Sequence, residues 1–419
     1  MLYRFSLLSA CLFTALCCFA QQKFSVIFED EKVLLKDSIP SEKAFSMLYF
    51  HFKGCPGCVQ MDQTALVDSA VVTFLNTNFH NYSINTLSKE GIAIKKMFQV
   101  GPQPDFVIID SKKQQLHRIC GPMQSTDFLR QLQYAISPDK SLKKQREEAK
   151  LKEQDYVFME WHVRNLDIAN TLDSETIIKG FNSFPEEAYT DSLFIHFFMD
   201  FAVYDQRTVL DFPSASYQFM IKHPELLYAS FDSSRVAYTL NLIAGNQMGE
   251  AFKKRDEKAY TAAKTVIATH WRDNIYRIPN EDGKTYKGLV FSYFEPLQNE
   301  RDYQYYFRKD MAAYESLENE FFDKLKNNYQ ALFILSAVMN LDTRMEEERL
   351  TRRLKYINQA ISLSPVSQAY VMKSAILFML GDKEAAKQTY KEIKGRDLKG
   401  DYLANRVYEQ LTKKLKIKK

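Results

Sequence analysis

Glycine is scarce in this chain, with 13 in 419 residues, against 31 phenylalanines and 24 tyrosines. A protein made mostly of turns and hairpins needs more glycine, so the bulk of the chain reads as packed helices. Cysteine is also rare. Of six, Cys11, Cys17 and Cys18 lie at the N-terminus, leaving Cys55, Cys58 and Cys120 in the remainder. Those three are too few for a disulfide scaffold, and a chain of this length does not need one. Excess charge of one sign is missing too: 56 Lys and Arg stand against 52 Asp and Glu, well mixed. That argues against an acidic polymer, and so against nucleic acid, as a partner. The local exception, KKLKIKK at Lys413 to Lys419, reads as a solvated helix end. There is no phosphate-cradling glycine loop, no serine elbow, and no second cysteine pair or spaced histidines to complete a zinc site. No cofactor and no metal are expected.

Only one apolar run stands out. MLYRFSLLSACLFTALCCFAQQ starts with Arg4 and runs apolar from Phe5 to Phe19, then offers small residues at Cys18 and Ala20. This is the pattern of a secretory signal cut after Ala20, which predicts a periplasmic or otherwise exported protein. A membrane anchor is the competing reading, but the run is short for a span of about 20 residues. A lipoprotein signal fits less well because Leu16 before Cys17 is bulky. In an exported chain, a lone dithiol points to chemistry rather than bracing.

That dithiol lies in KGCPGCVQM, Lys53 to Met61. Upstream, Lys23 to Phe28 alternates like a strand, and Met47 to Phe52 is a short apolar stretch that reads as a buried strand. A helix in PSEKAF between them is left open. From Cys58 to Leu75 apolar residues recur at helical spacing. Then come strand Phe79 to Ile84, helix Lys89 to Phe98, strands Asp105 to Ile109 and Gln115 to Ile119 with a hairpin between, and helix Thr126 to Ala135. The order β-β-α-β-α-β-β-α implies an α/β sheet over residues 21–137.

An aromatic strand, CPGC and Met61, followed by VGPQPDFVIID and then LHRICG, resembles the thioredoxin superfamily in composition and order. The resemblance covers 21–137 and implies a central mixed sheet flanked by helices. Cys55 at a helix start meets unpaired N–H groups and the positive end of the helix dipole, both of which favour a thiolate. Cys55 is therefore assigned as nucleophile and Cys58 as the resolving thiol one turn later. Pro56 suits the first helical turn. The resemblance implies that Pro104 is cis and that Gln103 offers its backbone to an extended substrate chain. Pro102 competes, but the strand begins directly after Pro104. Three positions depart from the family: Gly54 replaces its tryptophan, Asp105 its threonine, and Tyr49 the buried acid that assists deprotonation of the second thiol. His51 nearby is either a substitute for that acid or a core residue. Cys120 reads as a strand-end thiol or a third redox cysteine.

Lys140 to Gln154 is highly charged, with opposite charges at helical spacing, so 138–154 is expected to be a solvated helical linker. From 155 to 419 the pattern is helical, with no strand alternation of any length; examples are Leu193–Val203, Ala259–His270, Asp310–Leu325 and Tyr329–Leu341. The aromatic group Tyr303, Tyr305, Tyr306 and Phe307 reads as core. Within 329–395, Tyr370, Ser374, Leu377, Gly381-Asp382, Ala386 and Tyr390 resemble a tetratricopeptide repeat, with small residues at Ser374 and Ala386 where two helices approach. Arg349–Leu363 then resembles half of a preceding copy and Tyr402–Leu415 a cap, though Leu398 stands where such a repeat ends in proline. A concave face of this kind would take a peptide or protein partner.

The combined expectation is an exported thiol–disulfide oxidoreductase acting on protein thiols and disulfides, with direction undetermined and a possible membrane-delivered redox partner. The alternative is a helical interaction module in which the dithiol domain is structural or secondary.

Overall fold

The computed structural model describes residues 25–35, 43–270, 276–279, 286–290, 296–338, 340–343, 345–393, 398 and 401–417. The expected signal segment lies outside them. The chain divides into two compact units, Met1–Val209 and Leu210–Lys419.

In the first unit a five-stranded sheet has the order β1-β3-β2-β4-β5. Its strands are β1 (Phe28–Glu29), β2 (Phe45–His51), β3 (Phe79–Asn85), β4 (Asp105–Asp110) and β5 (Gln115–Cys120). β3 runs parallel to both β1 and β2; β4 is antiparallel to β2, and β5 to β4. The sheet is therefore mixed and flanked by helices, as expected. Strand periodicity sends alternate side chains to opposite faces. From β2, Met47 and Tyr49 enter one core with Phe106, Phe128, Leu132 and both dithiol cysteines. Leu48 and Phe50 enter the other, with Leu34, Tyr82, Ile94 and Val107. Burial on both faces explains why β2 reads as a continuous apolar run.

Helices α1 (Pro56–Gln63), α2 (Ser69–Asn78), α3 (Lys89–Met97) and α4 (Ser125–Ile136) connect and cover the strands. The single helix expected from Cys58 to Leu75 is broken. Thr64 leaves helical geometry at φ −121° and ψ −84°, a short 3₁₀ turn Ala65–Val67 follows, and Asp68 caps α2 by accepting from the amides of Ala70 and Val71. A side-chain cap of this kind competes with continuing the helix. The first strand is also shorter than expected. It begins at Phe28, and Lys23 and Phe24 lie outside the described residues, as do 40–42 of PSEKAF.

Four more helices belong to this unit: α5 (Leu142–Ala149), α6 (Tyr156–Ile168), α7 (Ser174–Ser183) and α8 (Ser192–Phe201). The charged segment 138–154 is helical in α5 but solvated on one side only. Lys144 pairs with Glu147 and Lys152 with Glu148 on the outer side. Leu142 and Gln145 are fully buried, and the Leu142 amide donates to His117 Nδ1 at 3.0 Å on β5. His117 Nε2 meets Gln131 Oε1 at 2.9 Å, and Gln131 donates on to Asn165 of α6. This buried polar chain ties α5 and α6 to the sheet within the first unit.

The second unit is mostly helical: α9 (Ala215–Lys222), α10 (Pro224–Tyr228), α11 (Ser233–Lys254), α12 (Glu257–His270), α13 (Pro296–Tyr303), α14 (Met311–Leu325), α15 (Tyr329–Ser336), α16 (Glu347–Leu363), α17 (Ser367–Met379), α18 (Lys383–Tyr390) and α19 (Tyr402–Lys414). Two small hairpins contradict the strand-free expectation beyond residue 154. β6 (Val203–Tyr204) pairs with β7 (Arg207–Thr208) in the first unit, and β8 (Tyr276–Pro279) with β9 (Tyr286–Val290) in the second. Both are too short for alternation to register, and Pro279 masks the second as a helix break. Tyr303 and Phe307 pack on Tyr260 of α12 as expected of core aromatics. Ser374 donates to the Ala386 carbonyl at 2.8 Å with both residues fully buried, so small side chains do bring α17 and α18 together.

Candidate active site

The chain leaves β2 at His51 and must turn into α1 within a few residues. Gly54 makes that turn at φ +94°, and the Cys55 amide closes it on the Phe52 carbonyl at 3.2 Å. A residue with a Cβ is strained at that φ, which accounts for glycine at this turn. Cys55 is then the N-cap of α1, with Pro56 at its first position, as expected. The Cys58 amide donates to Cys55 Sγ at 3.2 Å. The two cysteines are joined by a disulfide with Cα atoms 5.3 Å apart. Cys55 is 2% and Cys58 3% exposed, yet Lys53, Gly54, Pro56 and Val59 around them are open to solvent.

The proline loop meets this turn at Gly57. The Gln103–Pro104 peptide is cis, as the resemblance implies, and the competing Pro102 is not. A Cβ built on Gly57 would sit 2.8 Å from Pro104 Cδ and 3.4 Å from Pro122 Cδ, so Gly57 is where the loop and the dithiol turn touch. Pro104 O accepts from the Gly121 amide at 2.8 Å, which hangs the loop on the end of β5. Among the described residues the Gln103 backbone has no hydrogen-bond partner. Its side chain is turned to the Gly101 carbonyl at 2.8 Å.

Asp105 is fully buried and held by Arg118 from β5, with Nε to Oδ1 3.0 Å and Nη2 to Oδ2 2.5 Å. Burial pushes the Asp105 carboxyl upward in pKa and Arg118 pulls it back. Arg118 also donates to the Gln99 carbonyl at 3.4 Å, so one guanidinium braces both ends of the proline loop. Cys120 faces Asp105 across the ladder and carries a free thiol. Burial, with Asp105 adding to it, pushes that thiol up to about 11. It is a protonated thiol at neutral pH and a poor nucleophile.

Tyr49 reaches under the dithiol helix. Its hydroxyl lies 3.3 Å from the Cys58 carbonyl and donates to Asp62 Oδ1 at 3.0 Å. Burial first, and Asp62 second, hold the phenol well above its ordinary pKa. His51 stacks on Tyr49 at 5.0 Å and bonds Ser83 Oγ through Nε2 at 2.8 Å. Burial lowers its pKa, with Asp62 and Glu31 opposing. His51 is thus a satisfied, half-buried residue. Sequence reasoning missed Asp62, Arg118 and Pro122. For Asp62 a signal existed, since it follows Cys58 by four residues and so shares its helix face.

Among the described residues no group of three or more His, Cys, Asp or Glu is placed to hold a metal ion, and no helix is long and apolar enough to cross a membrane. No protein-family model matches the chain, and no curated protein matches it. Among solved structures, the chain is similar to a thioredoxin from Thermus thermophilus determined in solution, at 25% identity over 27% of this chain and 86% of that one, with a TM-score of 0.23.

Proposed function

We propose that the chain is a thiol–disulfide oxidoreductase that exchanges disulfides with protein substrates through Cys55 and Cys58. The observation that carries this reading is a disulfide-forming pair at a helix N-terminus, with Gly57 of the same turn in contact with Pro104. Cys55 is the attacking thiolate, favoured by the helix N-terminus. Cys58 then releases the mixed disulfide. Gln103, with its backbone unengaged, takes an extended substrate segment in strand-like pairing.

The N-terminal segment directs export, with cleavage after Ala20. In an oxidising compartment a reducing role needs electrons delivered from elsewhere, for which a membrane-held dithiol is the expected source. The helices beyond residue 154 supply a surface for a peptide or protein partner, in a tetratricopeptide-like arrangement near 329–395. The close α17–α18 contact through Ser374 and Ala386 supports that arrangement.

The test is a disulfide-reduction assay on a protein substrate such as insulin, with dithiothreitol as electron source. The unaltered chain is expected to accelerate reduction, Cys55→Ser to abolish the acceleration, and Cys58→Ser to accumulate a mixed disulfide on Cys55. Acceleration that survives Cys55→Ser overturns the assignment.

A further inference from the structure

Between the end of α3 and the start of β4 the chain passes from Gln99 to Pro104 without regular structure. Gly101 and Pro102 are exposed and Gln103 is partly so, which leaves Gln103 within reach of a polypeptide. A segment this open keeps its place only through what grips its ends. Gln99 closes α3 at φ +50°, a left-handed conformation that a residue with a Cβ adopts at some cost. Its carbonyl accepts from Arg118 Nη2 at 3.4 Å, and the same nitrogen lies 2.5 Å from Asp105 Oδ2 at the other end. Arg118 is 7% exposed and Asp105 0%.

This grip lies on the far side of the sheet from the dithiol. Alternation along β4 puts Phe106 and Ile108 in the core that holds Cys55 and Cys58, and Val107 and Ile109 in the opposite core. Asp105 shares the face of Val107, and Arg118 is the residue paired with Val107 on β5. The pair therefore acts on the loop and not on the reacting sulfurs.

We propose that Arg118 is a positioning residue for polypeptide substrates: by gripping Asp105 and the Gln99 carbonyl together, it holds the Gln103 backbone in place to pair with an extended chain. This rests on the redox reading above, and it narrows the substrates to those with an extended segment beside the disulfide. A loop released at its Gln99 end has to be ordered at each binding event, and that entropy is lost from affinity. A small disulfide makes no strand-like pairing and is insensitive to the loop. Arginine suits the task because its planar fork binds one carboxylate through two nitrogens and still reaches a second acceptor, whereas lysine has a single nitrogen.

The test uses the full chain, reduced and mixed with excess insulin or with oxidised glutathione. Closure of the Cys55–Cys58 bond is followed by acid quenching and mass. Pairing Arg118→Met with Asp105→Leu removes the grip without leaving an unpaired buried charge, so the fold is expected to persist, as urea midpoints check. Arg118→Lys keeps the opposite charges but not the fork. In the paired variant, closure at low insulin should slow about tenfold while the limiting rate at saturating insulin stays within about twofold, the sign of lost uniform binding. Closure with glutathione should also stay within about twofold of the unaltered chain. Arg118→Lys should show the same pattern with a smaller loss. Unchanged insulin kinetics in both variants overturn the proposal. So do equal losses on insulin and glutathione, which would make the pair a support of the fold or of the dithiol rather than of the loop. If the unaltered chain reacts with glutathione but not with insulin, the proposal falls while the redox reading stands. If it reacts with neither, the redox reading itself falls.

Discussion

Gly57 sits where the proline loop closes on the dithiol turn. A methyl group there would lie 2.8 Å from Pro104 Cδ, and that ring belongs to a loop fixed by the Gly121 amide and by the Asp105–Arg118 pair. The loop cannot retreat without loosening those bonds. Gly57→Ala is therefore expected to destabilise the protein by about 1–3 kcal/mol and to slow disulfide exchange, read by urea denaturation and the reduction assay. An unchanged midpoint and rate would show that the contact is slack. At this scale the sequence was legible where function is local. Cys55, Cys58 and Pro56 stand together in one short stretch, and the resemblance points to Pro104, whose peptide is cis. Arg118 is not marked in this way, because its role appears only once β4 and β5 pair and set Asp105 opposite Cys120. Asp62 was passed over because an exposed carboxylate on a helix has no visible partner until Tyr49 is placed beneath it.

Elements were read well where apolar spacing was strong and less well at their ends. The doubly buried β2 and the amphipathic α4 stand where the pattern put them. The break at Thr64 is a capping event at Asp68, invisible to hydrophobic periodicity. The charged segment 138–154 misleads in the opposite way. Its charges are real ion pairs, but two of its residues, Leu142 and Gln145, face inward, and composition averages over both sides. The histidines that face this segment predict a pH dependence. His117 and His162 are each held down to about 4, mainly by burial, against an ordinary value of 6.5. Between those pH values the unfolded chain binds protons that the folded chain refuses. Stability should be full above about pH 6.5 and fall as pH drops towards 4, by up to about 1.4 kcal/mol per pH unit for each histidine. Urea midpoints at pH 7 and 4.5 check this, and His117→Gln should flatten the slope relative to the unaltered chain. A midpoint independent of pH across that window would contradict the buried, neutral assignment.

On the scale of the whole molecule, both units combine apolar cores with buried polar pairs. In the first these are Asp105–Arg118 and the His117–Gln131–Asn165 chain. The second adds a buried ionic network in which Arg301, 1% exposed, donates to Glu318 at 2.8 Å and to Tyr356 at 3.2 Å, and pairs with Asp302 at 2.8 Å. Removing the cation strips the buried Glu318 of its Arg301 partner, leaving it Tyr356 and the more distant Lys355, and leaves Asp302 with Arg352. Arg301→Ala should cost about 3–5 kcal/mol, and pairing Arg301→Met with Glu318→Met should recover much of it. Equal losses in the single and double variants would show that packing, not charge, decides. Nothing in the sequence marks this network, since arginine and glutamate in a helical pattern read as surface.

The proposed activity requires Cys55 and Cys58 to form a working redox couple, measured most directly by equilibrating the chain in graded glutathione or dithiothreitol buffers, trapping thiols by acid and alkylation, and counting them by mass. The expected result is a reversible two-electron step that adds and removes two thiols at Cys55 and Cys58, within the range of about −120 to −270 mV spanned by working dithiols, and that disappears in Cys55→Ser. A bond that resists reduction throughout that range, or a pair that never closes, would contradict it.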